Sequence, residues 1–405
     1  MPISAELKDE LQRFNRKWAK PLFQVSVALL LGAAIAFFWS TATGQRFDFF
    51  FLEKFHSLRG PIAAPKDVVV VSIDTETYEK LEQSTNFPLP RHYLADALER
   101  IIEAAPKVVI LDAKIPNERT IDPKADLRIE EALKKGPTTI WSGAIPDDLS
   151  DPLAVLNLPS DERFRKAAKL ELSMAVYGVD NVLAYVGNPN KGGKALYESV
   201  PVAEALEELG KVRVQAPGAF DLINFYGPPG TIKRLSIYEL IAGDIAKAQA
   251  LLKDKVVLLG YQSAHYAKAT TNKDSFLVTG SAFPMYGVEI HGNMVGNLID
   301  GTFLRRFSTK NEVLVLILSV FIIASFAMHS PTFTAVGLIG GSALGSIVAA
   351  YYLFTRYNFW LSGIGSFLVA TAIVFIISAF YFFRRSQLYK RYIERTMGFK
   401  RDKEL

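Results

Sequence analysis

The chain has 405 residues, of which 50% are hydrophobic and only 21% are charged, and its mean hydropathy is +0.17. That is more apolar material than one ordinary water-soluble fold holds, so part of the chain is expected to lie in lipid. The sequence has no cysteine, which excludes a disulfide scaffold, a thiolate zinc site, an iron–sulfur site and a cysteine nucleophile. The net charge of +5 could indicate an acidic partner, but this depends on where in the chain the excess basic residues lie.

Four uncharged apolar runs predict transmembrane helices. A basic segment, 1–21, precedes the first run, 22–39, which is long enough to cross a hydrocarbon core of about 30 Å. This run ends in aromatic residues rather than in the small residues of a cleavage site, so we predict an uncleaved signal anchor. The other runs follow one another closely and predict one compact helical bundle: 313–328, 332–354 and 359–383.

Basic residues beside these runs predict the orientation. Segment 1–21 carries five basic residues against three acids, and segment 384–405 carries eight against three. By the positive-inside rule both tails are cytoplasmic, and four spans place residues 40–312 in the periplasm or outside the cell, anchored in the inner (plasma) membrane. The rest of the chain then has a net charge of −2. We therefore do not predict nucleic acid as a partner.

The pattern of the outer region, 40–312, predicts an α/β sandwich. Residues 67–74 and 107–112 are β-branched runs without polar alternation, separated by a helical segment, 91–105. Such strands are buried on both faces, which is typical of a mostly parallel sheet flanked by helices. Further strands are predicted at 138–142, 182–186, 222–225 and 255–259, and further helices at 126–135, 161–169, 202–209, 237–252 and 288–299.

Two strand-end acids suggest a site. Because ligands collect beyond the carboxyl ends of parallel strands, Asp74 and Asp112 are expected at one edge, and Arg91 can pair with either. One interpretation is a polar ligand pocket lined by Asp74, Arg91 and Asp112. The other is that the acids cap the turns that follow the strands and that one ion pair fixes a loop.

The remaining residues of the outer region carry no catalytic or cofactor motif. Its four histidines are never at i, i+4 spacing, and neither a Gly-x-Ser-x-Gly elbow nor a phosphate-binding glycine loop occurs. We therefore predict no catalytic residue, no metal and no cofactor, and a protein that is not an enzyme.

Six segments resemble, as a set, the second class of CHASE domain (CHASE2), an extracellular sensory domain associated with cyclases and histidine kinases. They are DVVVVSID, the PLPR turn, KVVILDA, INFYGPPGT, KDKVVLLGYQSA and FPMYGVEIHGNMVGNLIDGTFL. The resemblance runs from about Arg46 to Arg305. Its most specific part is Gly287, Val288, Glu289, Ile290 and His291, since the family has a Gly-Val-Glu-Ile-His run at this place.

The resemblance implies a bacterial receptor that relays a signal to a cytoplasmic cyclase or kinase. Only 22 residues follow residue 383, too few for a catalytic domain, so the output is expected on a separate or missing polypeptide. The alternative is a structural scaffold subunit of a cell-envelope complex that uses the outer domain as a docking platform. Expected partners are membrane lipid, an envelope protein or a second copy of the chain.

A stripe of small residues in the run 332–354 predicts close helix packing. Gly337, Gly341 and Gly345 are spaced by four, so another helix backbone can approach along them. The neighbour is either another span of the same chain or the same helix in a homodimer. The four runs contain no ionisable residue, which argues against a transporter or channel.

Overall fold

The computed structural model describes residues 20–85, 88–113, 122–143, 164, 167, 170–173, 177–179, 182–185, 206–207, 213, 215, 221–262, 275–330 and 332–396. The chain divides into two compact units. The first, here called the helical unit, comprises residues 1–51 and 307–405, and the second, the sheet unit, comprises residues 52–306.

The described elements are numbered in chain order. The helices are α1 Lys20–Ser40, α2 Ala42–Arg59, α3 Thr75–Lys80, α4 Arg91–Glu103, α5 Pro123–Lys135, α6 Ile237–Ala242, α7 Ile245–Leu252, α8 Gly287–Asp300, α9 Thr309–His329, α10 Thr332–Tyr357 and α11 Ile364–Thr396. The strands are β1 Val68–Asp74, β2 Val108–Asp112, β3 Thr138–Gly143, β4 Leu170–Ser173, β5 Tyr177–Val179, β6 Val182–Tyr185, β7 Arg234–Ser236, β8 Val256–Gln262, β9 Ser275–Val278 and β10 Met285–Tyr286.

The helical unit is a bundle of apolar helices. α1 packs against α9 and α11, and α10 packs against the same two helices. Small side chains permit close contacts, as where Ala28 of α1 packs in one cluster with Ala324 and Ala327 of α9. A second cluster joins Trp39, at the end of α1, to Leu316, near the start of α9. The two helices therefore run in opposite directions.

Helix length and composition support membrane spanning for part of this bundle. Thr309–Ala327 and Phe333–Tyr357 are each long and apolar enough to cross a membrane. A third span is counted if the bent pair Val25–Ser40 and Ala42–Arg59 is taken as one, and the apolar stretch of α11, Ile364–Phe380, is shorter. The described residues thus give two or three spans, and the prediction of four is not confirmed.

The bend between α1 and α2 has a local cause. The two helices meet at 79°. Thr41 stands at the break, where its hydroxyl donates to the Phe38 carbonyl at 2.6 Å and accepts from the Gly44 amide at 3.2 Å. A Cβ at position 44 would lie 2.2 Å from the Phe38 carbonyl oxygen, so only glycine fits there. Thr41 and Gly44 together end one helix and start the next.

The sheet unit contains a six-stranded sheet in which every described pairing is parallel, with strand order β4-β3-β2-β8-β1-β7. Alternate residues of β1 enter two cores: Val69 and Val71 pack on the side of α4 and α6, and Val68 and Val70 pack on the side of α8. Helices cover both faces, which confirms the predicted parallel sheet flanked by helices.

Most predicted strands and helices of the sheet unit are present. The predicted strands 67–74, 107–112, 138–142 and 255–259 correspond to β1, β2, β3 and β8. The predicted strand 182–186 corresponds to β6, but β6 belongs to a second, mixed sheet of order β10-β9-β6-β5. The predicted helices 161–169 and 202–209 lie almost entirely outside the described residues.

Two predictions within the sheet unit are wrong. Residues 222–225 form no strand, since their one bridge joins Leu222 to Leu304. The predicted helix 237–252 is two helices, α6 and α7, because the backbone is extended at Gly243 and breaks the helix there. A Cβ at this position would lie 2.3 Å from the Glu239 carbonyl oxygen. Asp244 then caps α7 by accepting from the Ala246 amide at 3.0 Å.

Candidate functional site

Three polar side chains end neighbouring strands of the parallel sheet. Asp74 ends β1, Gln262 ends β8 and Asp112 ends β2, with β8 between the other two strands. Side chains alternate along a strand, and Val70 and Ile110 belong to the core beneath α8. The register therefore places all three strand ends on the face that α8 covers. This is the edge at which the sequence predicted a site.

Asp74 acts as a cap. Its Oδ1 accepts from the Thr77 amide at 2.9 Å, the Thr77 hydroxyl at 2.7 Å and the Ser236 hydroxyl at 3.0 Å, and its Oδ2 accepts from the Ser72 hydroxyl at 3.0 Å. It is also the N-cap of α3. These donors bond both oxygens of the carboxylate, so the contacts of Asp74 support the capping interpretation.

Arg91 lies apart from the two strand-end acids. It begins α4 and forms a buried ion pair with Asp126 of α5; the two side chains are 5% and 3% exposed. Asp74 bonds other groups and the ionisable group beside Asp112 is His291, so the described residues do not bring Arg91 to either acid. Asp126 was not expected here, because an acid in the first turn of a helix ordinarily reads as a helix-dipole partner.

Asp112, Gln262 and His291 are here called the sheet-edge trio. Each has a buried side-chain atom without a hydrogen-bond partner in the part of the chain that the structure describes: Asp112 Oδ2, Gln262 Oε1 and His291 Nδ1. His291 Nε2 lies 3.9 Å from Asp112 Oδ2, too far for a hydrogen bond. Burial lowers the pKa of His291, while the charge of Asp112 opposes that shift. The trio is thus a partly buried polar cluster in which each residue has one buried atom with unused bonding capacity, a feature that calls for an explanation in a folded protein.

The Gly-Val-Glu-Ile-His run forms the start of α8 and holds that helix on the sheet. Gly287 is its first residue, and Val288 and Ile290 are buried in the core. Val288 lies against Gly260 of β8, where an added Cβ would come within 2.8 Å of the valine side chain and 2.9 Å of the Asp112 carbonyl oxygen. Only glycine at 260 permits this approach of helix to sheet, which also brings His291 to Asp112.

Glu289 ties α8 to the turn at 227–230. Its buried carboxylate accepts from the Gly230 amide at 2.6 Å, and Gly230 has φ +88°, in the left-handed region that glycine favours. Burial raises the pKa of Glu289, and hydrogen bonds from the backbone amides of Gly230, Ile232 and Thr231 act against that rise. The acid of the motif therefore has a structural role in this turn.

Two asparagines of α8 explain why residues 222–225 form no strand. Asn297 accepts from the Asn224 amide at 2.8 Å and donates to the Asn224 carbonyl at 3.1 Å, while Asn293 accepts from the Tyr226 amide at 3.0 Å. Side chains thus satisfy backbone groups that a neighbouring strand would otherwise bond. Sequence reasoning missed this role, although Glu289, Asn293 and Asn297 recur every four residues on a mostly apolar helix.

A family comparison identifies the domain. The chain matches the family model of the CHASE2 domain over residues 27–326. It belongs to the CHASE2 family. The match begins within α1 and ends within α9, so it includes apolar helices that come before and after the sheet unit in the sequence. No curated protein and no solved structure matches the chain.

CHASE2 is a sensory extracellular domain, so the resemblance found in the sequence is confirmed and the chain has a sensory role. The five residues of its most specific motif, 287–291, lie in one helix turn and the start of the next. In this CHASE2 protein they attach α8 to the sheet beside the sheet-edge trio. The trio is therefore a candidate for the place where a stimulus acts.

The glycine stripe of this CHASE2 protein lies on an uncovered face of α10. A Cβ built at Gly337, Gly341 or Gly345 meets no other group within 4 Å in the described structure. The buried residues of α10 lie on its other side, for example Ile339 and Ala350.

The described residues hold no group of three or more histidines and acids that could bind a common metal ion. A cavity of about 650 Å³ lies at the opposite, amino-terminal edge of the sheet, lined among others by Asp67, Lys107 and Asp300. It is remote from the strand ends at which the trio lies.

Proposed function

We propose that this CHASE2 protein is a membrane-anchored receptor that relays a signal to a cytoplasmic output of the cyclase or kinase type on another polypeptide. In this proposal the sheet unit is extracytoplasmic and both tails are cytoplasmic. The family supports the sensory role, and the apolar helices support the membrane location. The observation that carries the relay is a buried carboxylate in the helical unit.

Asp48, on α2, caps the start of α11. Its Oδ2 accepts from the Gly363 amide at 2.7 Å and the Ser362 hydroxyl at 2.9 Å, and its Oδ1 accepts from the Gly365 amide at 3.3 Å. Asp48 is 4% exposed. A carboxylate at a helix N-terminus is favourable both as an acceptor for free amides and as a partner of the helix dipole. These bonds, here called the Asp48 latch, fix α2 to α11.

Two glycines make the latch possible. A Cβ at Gly365 would lie 2.9 Å from the Phe47 ring and 3.2 Å from the Phe47 carbonyl oxygen, so α2 and α11 touch through backbone at this point. Gly363 has φ +86°, which turns the chain into α11. A close backbone contact leaves little room for one helix to move without the other.

The latch supports a relay because of what each helix leads to. α2 runs past residue 51, where the sheet unit begins, and α11 runs for 33 residues into the basic tail. A change in the sheet unit that rotates or shifts α2 is passed to the first turn of α11. A continuous helix then passes it along to the tail, where an output partner can detect it.

A double-mutant cycle tests the relay in the full-length protein in lipid nanodiscs. We expect His291→Gln, which alters the sheet-edge trio, to change hydrogen exchange in the first turns of α11, and Asp48→Ala to abolish that response. Glu53→Gln, which removes another acid from α2, is the matched control and is expected to leave the response intact. The relay is contradicted if His291→Gln alone does not change hydrogen exchange in α11. It is also contradicted if His291→Gln still changes that exchange when Asp48→Ala is present.

Cysteine labelling tests the membrane orientation, since the chain has no native cysteine. A membrane-impermeant maleimide is expected to label Ser57→Cys in intact spheroplasts, and Ser386→Cys only after the membrane is permeabilised. Labelling of Ser386→Cys in intact spheroplasts would place the tail outside and end the relay proposal in this form.

A second copy of the chain is the proposed neighbour of the glycine stripe. Oxidative cross-linking of Gly341→Cys is expected to give a disulfide-linked dimer, whereas Val336→Cys, exposed on another side of α10, is expected not to. Equal cross-linking of both variants would indicate random collision. A stoichiometric envelope protein that co-purifies with the chain would instead favour the scaffold alternative.

A further inference from the structure

The first turns of α2 carry an aromatic cluster that is partly exposed. The rings of Phe47 and Phe50 are parallel with centroids 6.4 Å apart, and Phe51 meets each of them edge-on at 5.5 Å. Phe47 is 38% exposed and Phe50 is 46% exposed. At 3.6 residues per turn the three side chains lie within about 100° of one another around the helix. They form one continuous apolar face.

Only one edge of this face meets the latch. Asp48 and the ring and backbone of Phe47 contact the start of α11, while Phe50 lies about 160° from Asp48 around the helix. Contact with α11 therefore does not account for the exposed part of the cluster. Exposed aromatic rings gathered on one side of a helix need a different apolar environment.

The position of the cluster in the bundle indicates what that environment is. α2 begins directly after the apolar helix α1 and leaves it at 79°. If α1 runs across the bilayer, the start of α2 runs close to parallel to the membrane surface. Such a helix, with an apolar face toward the lipid, is typical of the boundary between headgroups and acyl chains.

Other aromatic residues lie at the same end of the bundle. A Cβ added at Gly363 there would lie 3.8 Å from the side chains of both Trp39 and Leu316, so the end of α1, the start of α9 and the start of α11 meet at one level. Phe307 stacks edge-on against Phe359, and Tyr352 stacks against Tyr357 at the end of α10. Aromatic belts of this kind mark the membrane–water interface.

We propose that the Phe47–Phe50–Phe51 face of α2 is embedded in the lipid–water boundary of the bilayer, so that α2 starts as a membrane-surface helix. The occupant of this face is phospholipid. The inference does not depend on a relay to a cytoplasmic output, because it concerns only how the helical unit sits in lipid. It adds a point at which the bilayer itself contacts the helix that bears the latch.

Fluorescence quenching in the full-length protein tests this contact, using the absence of native cysteine. Phe50→Cys and, as a second variant, Phe51→Cys carry an environment-sensitive fluorophore in phosphatidylcholine nanodiscs. The control is Gln45→Cys, which is exposed and lies about 140° from Phe50 around the same helix. Each protein is measured with aqueous iodide and with phosphatidylcholine brominated near the headgroup end of its acyl chains. Thermal unfolding of each labelled protein verifies that it is folded.

We expect the labels at 50 and 51 to be quenched by the brominated lipid and to lose iodide quenching, and the label at 45 to show the reverse. Iodide quenching at 50 and 51 equal to that at 45 would show that the face is in water. Quenching by neither agent would show that protein, such as a second copy, covers it. Either of these two results overturns the proposal.

Discussion

Two aspartates, Asp48 buried in the helical unit and Asp112 partly buried in the sheet unit, differ in how far their hydrogen-bonding capacity is used. Asp48, in the helical unit, accepts from three donors at the start of α11. Asp112, in the sheet unit, has a buried oxygen without any donor among the described residues, and its nearest cation-forming neighbour, His291, stops at 3.9 Å. A saturated carboxylate fixes one arrangement, whereas an unsaturated one has a bond still to form. The first suits a latch, and the second suits a place where a stimulus acts.

The largest effect is expected from substitution of Asp48, the carboxylate whose two oxygens both accept hydrogen bonds. Asp48→Ala removes the acceptor of two backbone amides and a hydroxyl and is expected to cost about 2–3 kcal/mol, from the loss of a helix cap and the burial of unpaired donors. Hydrogen exchange in the first turn of α11, measured on the full-length protein in one detergent, reports the loss as faster exchange. Glu53→Gln on the same helix is the control. Exchange as slow in Asp48→Ala as in the control would mean that the latch contributes little.

A smaller loss is expected at Asp74, the saturated carboxylate of the sheet unit. Asp74→Ala removes the N-cap of α3 and the acceptor of three hydroxyl bonds and should cost about 1–2 kcal/mol. Denaturant unfolding of the full-length protein, followed by a probe in the sheet unit, measures it. Glu76→Gln, in the first turn of α3, tests whether any acid near that turn has the same effect. If the two substitutions cost equally, the cap is not the source of the loss.

The strands could be predicted from the sequence because their cause is local. β1, β2 and β8 are unbroken apolar runs, and such runs are buried on both faces whatever the rest of the chain does. The same reasoning failed at 222–225, where the pattern is strand-like but the partners are side chains of Asn293 and Asn297, about seventy residues away. A periodicity cannot show which distant group satisfies a backbone amide.

The sequence predicted at which edge of the sheet the candidate site lies, but not which residues meet there. Strand-end position placed Asp74 and Asp112 correctly, since parallel strands share an edge. Arg91 was misplaced because its partner, Asp126, is set by the packing of α4 on α5. Gln262 and His291 join the site only through the close approach of α8 to Gly260, a contact that no spacing within the sequence encodes.

The pH dependence of stability tests the surroundings of Asp112 through its neighbour His291. A histidine with a lowered folded pKa binds a proton more readily when unfolded, so its stabilising contribution is complete above about 6.5 and is lost as the pH falls below that value. Glu289 acts in the opposite sense: its raised pKa gives stability that is lost as the pH rises through 4.5 and above. From about pH 7.5 to 5.5 the unfolding free energy is expected to fall, by at most about 1.4 kcal/mol per unit from His291.

His291→Gln isolates that fall. The variant keeps a polar side chain of similar length but cannot take up the proton, so its unfolding free energy should vary less with pH over this interval. His92→Gln, on α4, removes a histidine outside the trio and is the matched control. A profile that is equally steep with and without His291 would assign the dependence to other groups.

The smallest effect, and the one that decides the comparison, is expected at Asp112. Asp112→Asn removes a partly buried charge whose buried Oδ2 has no donor among the described residues, so it should be neutral or stabilising by up to about 1 kcal/mol, opposite in sign to the losses at Asp48 and Asp74. The measurement is denaturant unfolding at about pH 8, where His291 is neutral and no ion pair complicates the comparison. A loss as large as that of Asp74→Ala would mean that Asp112 is held by a favourable interaction after all. A neutral or stabilising result would mean that folding does not require this carboxylate, which leaves its role to the sensing function of the domain.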